Sequence, residues 1–164
     1  MTAAFIGLGA NLGDPANQLR SALQRLAELD AIKLVKQSSL YRTAPLGPAG
    51  QPHYCNAVAE LQTSLSARAL LRQLLNTEKA MGRTRDAERW GPRRIDLDLL
   101  VFGDDMINEP GLQVPHPEMH KRNFVLLPLA EIAPQLQIPG LGQVGDLAAS
   151  VGAEGIEFWS EANG

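Results

Sequence analysis

A single cysteine, Cys55, stands in 164 residues, so the chain cannot close an internal disulfide and has no basis for a cysteine-rich metal site. Long apolar runs are missing too. No segment approaches the roughly 20 apolar residues that span a bilayer. The opening "MTAAFIGLGANLG" has no basic stretch and too short an apolar run for a signal peptide. There is no excess of positive charge: 15 Lys and Arg against 18 Asp and Glu leave a net charge of -3, which excludes a general attraction to nucleic acid or to an anionic membrane. No G-x-x-x-x-G-K-[ST] occurs. "GLGANLG" (7–13) spaces its glycines G-x-G-x-x-x-G, and no acidic residue ends the second strand to take a ribose; the stretch reads as a tight strand-to-helix turn. These absences leave a soluble, cytoplasmic, single domain over residues 1–164, with any anion binding confined to a local site.

The apolar pattern that is present supplies an ordinary core: 45% of the residues are hydrophobic and 20% charged. Residues 3–9 read as a buried strand. Asp14 then Pro15 form an N-cap and first helical position, opening a helix with Leu19, Ala22, Leu23, Leu26 and Leu29 at helical spacing. Residues 32–43 read as a second, bulged strand, 44–53 as a Pro- and Gly-rich loop, and 54–63 as a third strand. Ser66 caps a second helix that Gly82 stops. The arginine-rich stretch 83–94 leads into a strand at 95–102, with a short return strand near 106–107. A short helix is expected around 124–132, another at 145–151, and an edge strand at 156–159. The order β-α-β-β-α-β is that of a ferredoxin-like α+β fold, an antiparallel sheet with helices packed against it.

Chemistry concentrates at "RWGPRRIDLDLLVFGDD" (89–105). Ile95, Leu97, Leu99 and Val101 alternate with Asp96, Asp98 and Leu100, which puts both carboxylates on one face. Such a pair is either a solvated sheet face or a seat for a hard divalent ion carrying phosphate. Five arginines at 83, 85, 89, 93 and 94 precede it directly, and arginine forks bind phosphate oxygens bidentately. Acids and arginines together favour a nucleotide-handling enzyme. His116 sits between two prolines in "VPHPE", poised either as a structural residue or as a phosphate contact. Tyr54, Trp90 and Phe124 are three of eight aromatics; each stands at an element boundary, where a ring can either pack or stack on a flat heterocycle.

"YRTAPLGPAGQPHYCNAV", "GRTRDAERWGPRRIDLDLLVFG" and "VPHPEMHKRNFVLLPL" closely resemble the 6-hydroxymethyl-7,8-dihydropterin pyrophosphokinases of folate biosynthesis, in the family's order and spacing over about residues 3–135. The resemblance implies transfer of pyrophosphate from ATP to the hydroxymethyl oxygen of the pterin, with release of AMP. It implies two Mg²⁺ ions on Asp96 and Asp98, and Arg83 and Arg93 neutralising the transferring phosphates. ATP would meet Glu78, Arg85, Trp90, Arg93, Leu99, His116 and Arg122. The pterin would meet Thr43, Pro45, Leu46, Tyr54, Asn56, Trp90 and Phe124, the rings of Tyr54 and Phe124 sandwiching it. Leu75, Gly111, Gln113 and Pro117 depart from the best-known bacterial members, all on the nucleotide side.

The expected partners are small molecules, ATP and the pterin, with neither nucleic acid nor membrane, and the protein is expected to act as a monomer. Two other readings compete: a phosphotransferase of the same fold acting on another heterocycle, and an RNA-binding module with bases stacked on its sheet. The second would need a basic sheet face, which this acidic chain does not offer.

Overall fold

A computed structural model of the chain describes residues 1–44, 53–82 and 95–160. The first strand, β1 (Thr2–Ala10), runs into α1 (Pro15–Ala27). The expected cap is there: Asp14 Oδ1 accepts the Asn17 N–H at 3.2 Å, with Pro15 opening the helix. Leu19 and Leu26, two turns apart, are fully buried, and each stabilises the fold by about 1.5–3 kcal/mol. Next come β2 (Ile32–Gln37), β3 (Tyr41–Thr43), β4 (Tyr54–Thr63), α2 (Ala67–Gly82) and β5 (Ile95–Phe102). Ser66 Oγ accepts the Ala69 N–H at 3.1 Å at the start of α2.

The sheet runs β5-β1-β4 and then β3, with β2 also along β4, and every pairing is antiparallel. This is the strand order of the expected ferredoxin-like core. One face packs under α1 and α2 through Ile6, Leu8, Ala59, Leu61, Leu97 and Leu99. The opposite face carries a second core, in which Phe5, Val58 and Leu100 meet Met119, Val125 and Leu129.

That second core comes from the C-terminal third. A hairpin of β6 (Ile107–Glu109) and β7 (Leu112–Val114) turns at Pro110-Gly111, where Gly111 takes φ 77°, a left-handed value that glycine adopts without steric cost. A 3-10 turn (Met119–Lys121) leads to α3 (Asn123–Ile132), then the small hairpin β8 (Gln137–Ile138) and β9 (Gly142–Gln143), α4 (Val144–Val151) and β10 (Ile156–Phe158). β10 adds to the sheet beyond β3.

The structure corrects three local expectations. Residues 32–43 form two strands along β4, interrupted at 38–40. Ser38 bridges the break, its N–H donating to Val58 O at 2.8 Å while its Oγ accepts the Val58 N–H at 3.0 Å. The return strand near 106–107 is a full hairpin reaching Val114. Val101 does not share a face with Leu97 and Leu99. The β1–β5 register slips between Phe5 and Ile6, leaving Leu100 as the extra residue, so Val101 joins Phe5 in the second core.

Candidate active site

The helices and turns of the C-terminal third cover only part of the second sheet face. Over the rest, β1 presents glycines, and the sheet floor lies open. Gly9 pairs with Asn56 on one side and Asp96 on the other; Gly7 pairs with Val58 and Asp98. Missing side chains on β1 thus open a trough between an amide on β4 and two carboxylates on β5. It forms a cavity of about 610 Å³, within the range of small-molecule sites.

Asn56 is buried, and its Nδ2 donates to Thr43 Oγ1 at 2.6 Å. That bond fixes the amide's orientation and leaves Oδ1 over Gly9, where a Cβ would stand only 2.8 Å from it. Tyr54 and Phe124, both half-buried, line the same cavity. Arg122 lies over the Phe124 ring, 5.7 Å from its centroid.

A second cavity of about 760 Å³ lies across β5, lined by Leu75 and Glu78 of α2, the β6–β7 hairpin, and His116. Asp98 lines both cavities, and Asp96 the first. The outer edge of β5 is anchored between them. Glu78 Oε2 accepts the Leu97 N–H at 2.7 Å, and Leu100 O accepts the His116 N–H at 2.8 Å. The residue between the two aspartates is therefore tied to α2, which keeps the carboxylate pair in place.

His116 Nδ1 accepts the Glu118 N–H at 3.1 Å, so the neutral ring carries its proton on Nε2. Burial holds its pKa below the ordinary value. The Arg122 charge pushes the same way, while Asp98 and Glu118 pull it back. At neutral pH the ring is an uncharged N–H donor.

The Asp96–Asp98 pair fits a hard divalent ion in one particular way. Their Cα atoms stand roughly 7 Å apart by strand geometry, and among the described residues no three His, Cys, Asp or Glu gather into a metal cage. Two carboxylate donors fit a hard ion such as Mg²⁺, which takes one or two carboxylates from a protein and its remaining ligands from water and substrate phosphate.

Residues 5–134 match the family model described as 7,8-dihydro-6-hydroxymethylpterin-pyrophosphokinase (HPPK). The chain belongs to this family. It is 45% identical over 153 residues to the 2-amino-4-hydroxy-6-hydroxymethyldihydropteridine pyrophosphokinase of Pseudomonas aeruginosa, covering 93% of this chain and 94% of that one. The Bacillus subtilis protein of the same name is 40% identical over 161 residues, covering 98% and 92%. Among solved structures, a Plasmodium falciparum HPPK-DHPS superposes with a TM-score of 0.74 at 16% identity, over 91% of this chain. The fold is shared, and this chain spans 44% of that longer one.

The site residues expected of an HPPK distribute as follows. Thr43, Tyr54, Asn56 and Phe124 come together in the first cavity with Asp96 and Asp98; Glu78, Leu99 and His116 line the second. Arg122, expected on the ATP side, lines the first cavity instead, and its charge reaches His116. All four departures, Leu75, Gly111, Gln113 and Pro117, line the second cavity. Pro45, Leu46, Arg83, Arg85, Trp90 and Arg93 lie outside the described residues. Sequence reasoning missed Gly7 and Gly9, which sit within β1 as the cavity floor rather than in a turn. A G-x-G inside an apolar strand was the available sign, since glycine there marks a close approach. It also missed Asn123, Glu154 and Gly155, which close the first cavity from the C-terminal side.

Proposed function

We propose that the two cavities bind the two substrates of one reaction, 6-hydroxymethyl-7,8-dihydropterin in the first and ATP in the second, and that the pyrophosphoryl group passes between them at Asp98. The hydroxymethyl oxygen attacks the β-phosphorus, its proton passes to solvent, the bond from the β-phosphorus to the oxygen of the α-phosphate breaks, and AMP leaves with that oxygen. The product is the pterin diphosphate of folate biosynthesis. The observation that carries this reading is that a D-x-D strand separates an amide-equipped cavity from a second one, with Asp98 lining both.

In the first cavity Tyr54 and Phe124 stack on the bicyclic ring, a contact worth about 0.5–1.5 kcal/mol beyond area burial. Asn56, held by Thr43, presents Oδ1 to the ring's N–H edge. Pro45, Leu46 and Trp90 complete this subsite on the family pattern. On the nucleotide side, neutral His116 donates Nε2–H to phosphate. Glu78 and Leu99 border the nucleoside, while Arg122 stands at the phosphate end of the pterin. Arg83, Arg85 and Arg93, again on the family pattern, balance charge on the transferring group.

Asp96 and Asp98 would hold two Mg²⁺ ions, which would supply charge neutralisation to the polyphosphate. The residues themselves mainly position, an arrangement that phosphoryl transfer favours. Residues 1–164 make one domain, which works as a cytoplasmic monomer. Among the described residues no helix is long and apolar enough to cross a membrane. RNA stacking on the sheet is disfavoured, because Phe5, Val58 and Leu100 are already buried under the C-terminal third.

AMP formation with and without the hydroxymethyl pterin tests the proposal. AMP should appear only with both substrates; pterin-independent AMP, or ADP in its place, would refute it.

A further inference from the structure

We infer that the C-terminal segment from α4 to Phe158 positions the pterin subsite, acting on β3 through Gly155 and Phe158 and on α3 through Asn123; this rests on assigning the first cavity to the pterin. The segment follows the residues that the family model matches, which end at 134, and its Val151, Glu154 and Gly155 wall the cavity.

β3 is three residues long and carries Thr43, whose Oγ1 fixes the Asn56 amide. A strand that short is held by its neighbours. On one side β4 pairs with it; on the other β10 pairs Ile156 with Thr43, Glu157 with Arg42 and Phe158 with Tyr41. The bonding continues past both ends. The Ala44 N–H donates to Gly155 O at 3.2 Å, and the Trp159 N–H donates to Leu40 O at 2.9 Å. Side chains repeat the tie. The Phe158 ring stacks on Tyr41 with centroids 5.2 Å apart. Arg42 pairs with Glu157 at 3.5 Å and hydrogen-bonds His53 Nδ1 at 3.2 Å, one residue before Tyr54.

The segment is tied to the other wall as well. Asn123 Nδ2 donates to Glu154 O at 2.8 Å, one residue before Phe124. Thr43, Tyr54, Asn56 and Phe124 are thus each within one hydrogen bond or one covalent neighbour of a contact made by this segment. None of those contacts touches the nucleotide cavity. A purely packing role would lower stability and affect both substrates together; a positioning role affects the pterin alone.

The test uses Asn123→Ala and Phe158→Ala in the full chain, the second at an exposed ring whose loss leaves the core intact. Pterin affinity is titrated by fluorescence with a non-hydrolysable ATP analogue and Mg²⁺ present, beside the KM for ATP, melting curves and hydrogen exchange at the Ala44 amide. Pterin affinity should fall about three- to tenfold in Asn123→Ala, the net worth of one hydrogen bond, and by a similar factor in Phe158→Ala, the worth of one aromatic pair. Ala44 exchange should quicken and the KM for ATP stay unchanged. Unchanged pterin affinity in both variants overturns the inference, as does a joint loss of pterin affinity, ATP affinity and melting temperature. If Asn123→Ala does not fold, Phe158→Ala decides alone. Failure of the wild type to bind pterin would instead sink the assignment of the cavity.

Discussion

Gly9→Ala adds one carbon, and the structure says where it goes. The new Cβ lies 2.8 Å from Asn56 Oδ1, closer than carbon and oxygen tolerate without movement. Asn56 cannot simply retreat. It is 7% exposed and bonded through Nδ2 to Thr43 Oγ1 at 2.6 Å. Rotating the amide away breaks that bond, a net loss of about 0.5–1.5 kcal/mol, and overpacking adds about 1–3 kcal/mol. Replacing a strand glycine returns about 0.5–1 kcal/mol. The balance is a destabilisation of about 0.5–4 kcal/mol, or roughly 1–16 °C in Tm for a domain of this size.

Binding should suffer more selectively. Oδ1 is the acceptor assigned to the pterin edge, and its displacement should raise the pterin KM at least about tenfold, since unpaired polar edges discriminate strongly. Gly7→Ala is the matched control, because its Cβ would meet only Leu100 side-chain carbons at 3.6 Å, an ordinary contact. It should melt at or slightly above the wild-type temperature. Thermal melts beside steady-state kinetics for each substrate provide the assay. A Gly9→Ala protein that melts and binds pterin like the wild type would refute the packing argument and the role of Asn56 together.

Further predictions concern charge. Asp98→Asn should cut kcat by about 10²–10³ while the metal-free protein melts no lower, because one of two like charges is gone; kinetics over a Mg²⁺ titration beside metal-free melts check this. His116 has a lowered pKa in the folded state, so the unfolded chain takes up protons first, and stability falls as pH drops below about 6.5 toward the folded value. His116→Gln should flatten that part of a pH series of melts. Tyr41 donates to Glu131 Oε1 at 2.6 Å, and burial with this bond raises its pKa well above 10. Its contribution is therefore full below pH 10 and lost as the pH rises beyond it. Tyr41→Phe should remove that alkaline dependence and lower stability by about 1–2 kcal/mol, read by denaturant melts. Phe124→Ala should raise the pterin KM with little change for ATP, read by kinetics.

Periodic signals made most of the core legible. Helical spacing in 15–27 and 67–82, with Asp14 and Ser66 at their starts, marked both helices, and period-two alternation marked β4 and β5. The bulge at Leu100 was not legible, because the register slip belongs to the pairing with β1 and not to β5's own sequence. Ser38 gave no sign that its hydroxyl would bridge a strand break. Asp96 and Asp98 could be read because side chains carry their chemistry. The C-terminal wall could not, because Glu154 and Gly155 act through main-chain carbonyls that every residue possesses. The bond from the Leu97 N–H to Glu78 was not legible, because it depends on how α2 crosses the edge of β5.

The central claim is that the oxygen entering at the β-phosphorus comes from the pterin in the first cavity. Phosphorus NMR of the products formed from ATP and a hydroxymethyl pterin carrying ¹⁸O in its hydroxyl group tests this directly. Equimolar AMP and pterin diphosphate should form, with the label in the carbon–oxygen–phosphorus bridge and none in AMP. Label lost to water, or ADP with a pterin monophosphate, would contradict it.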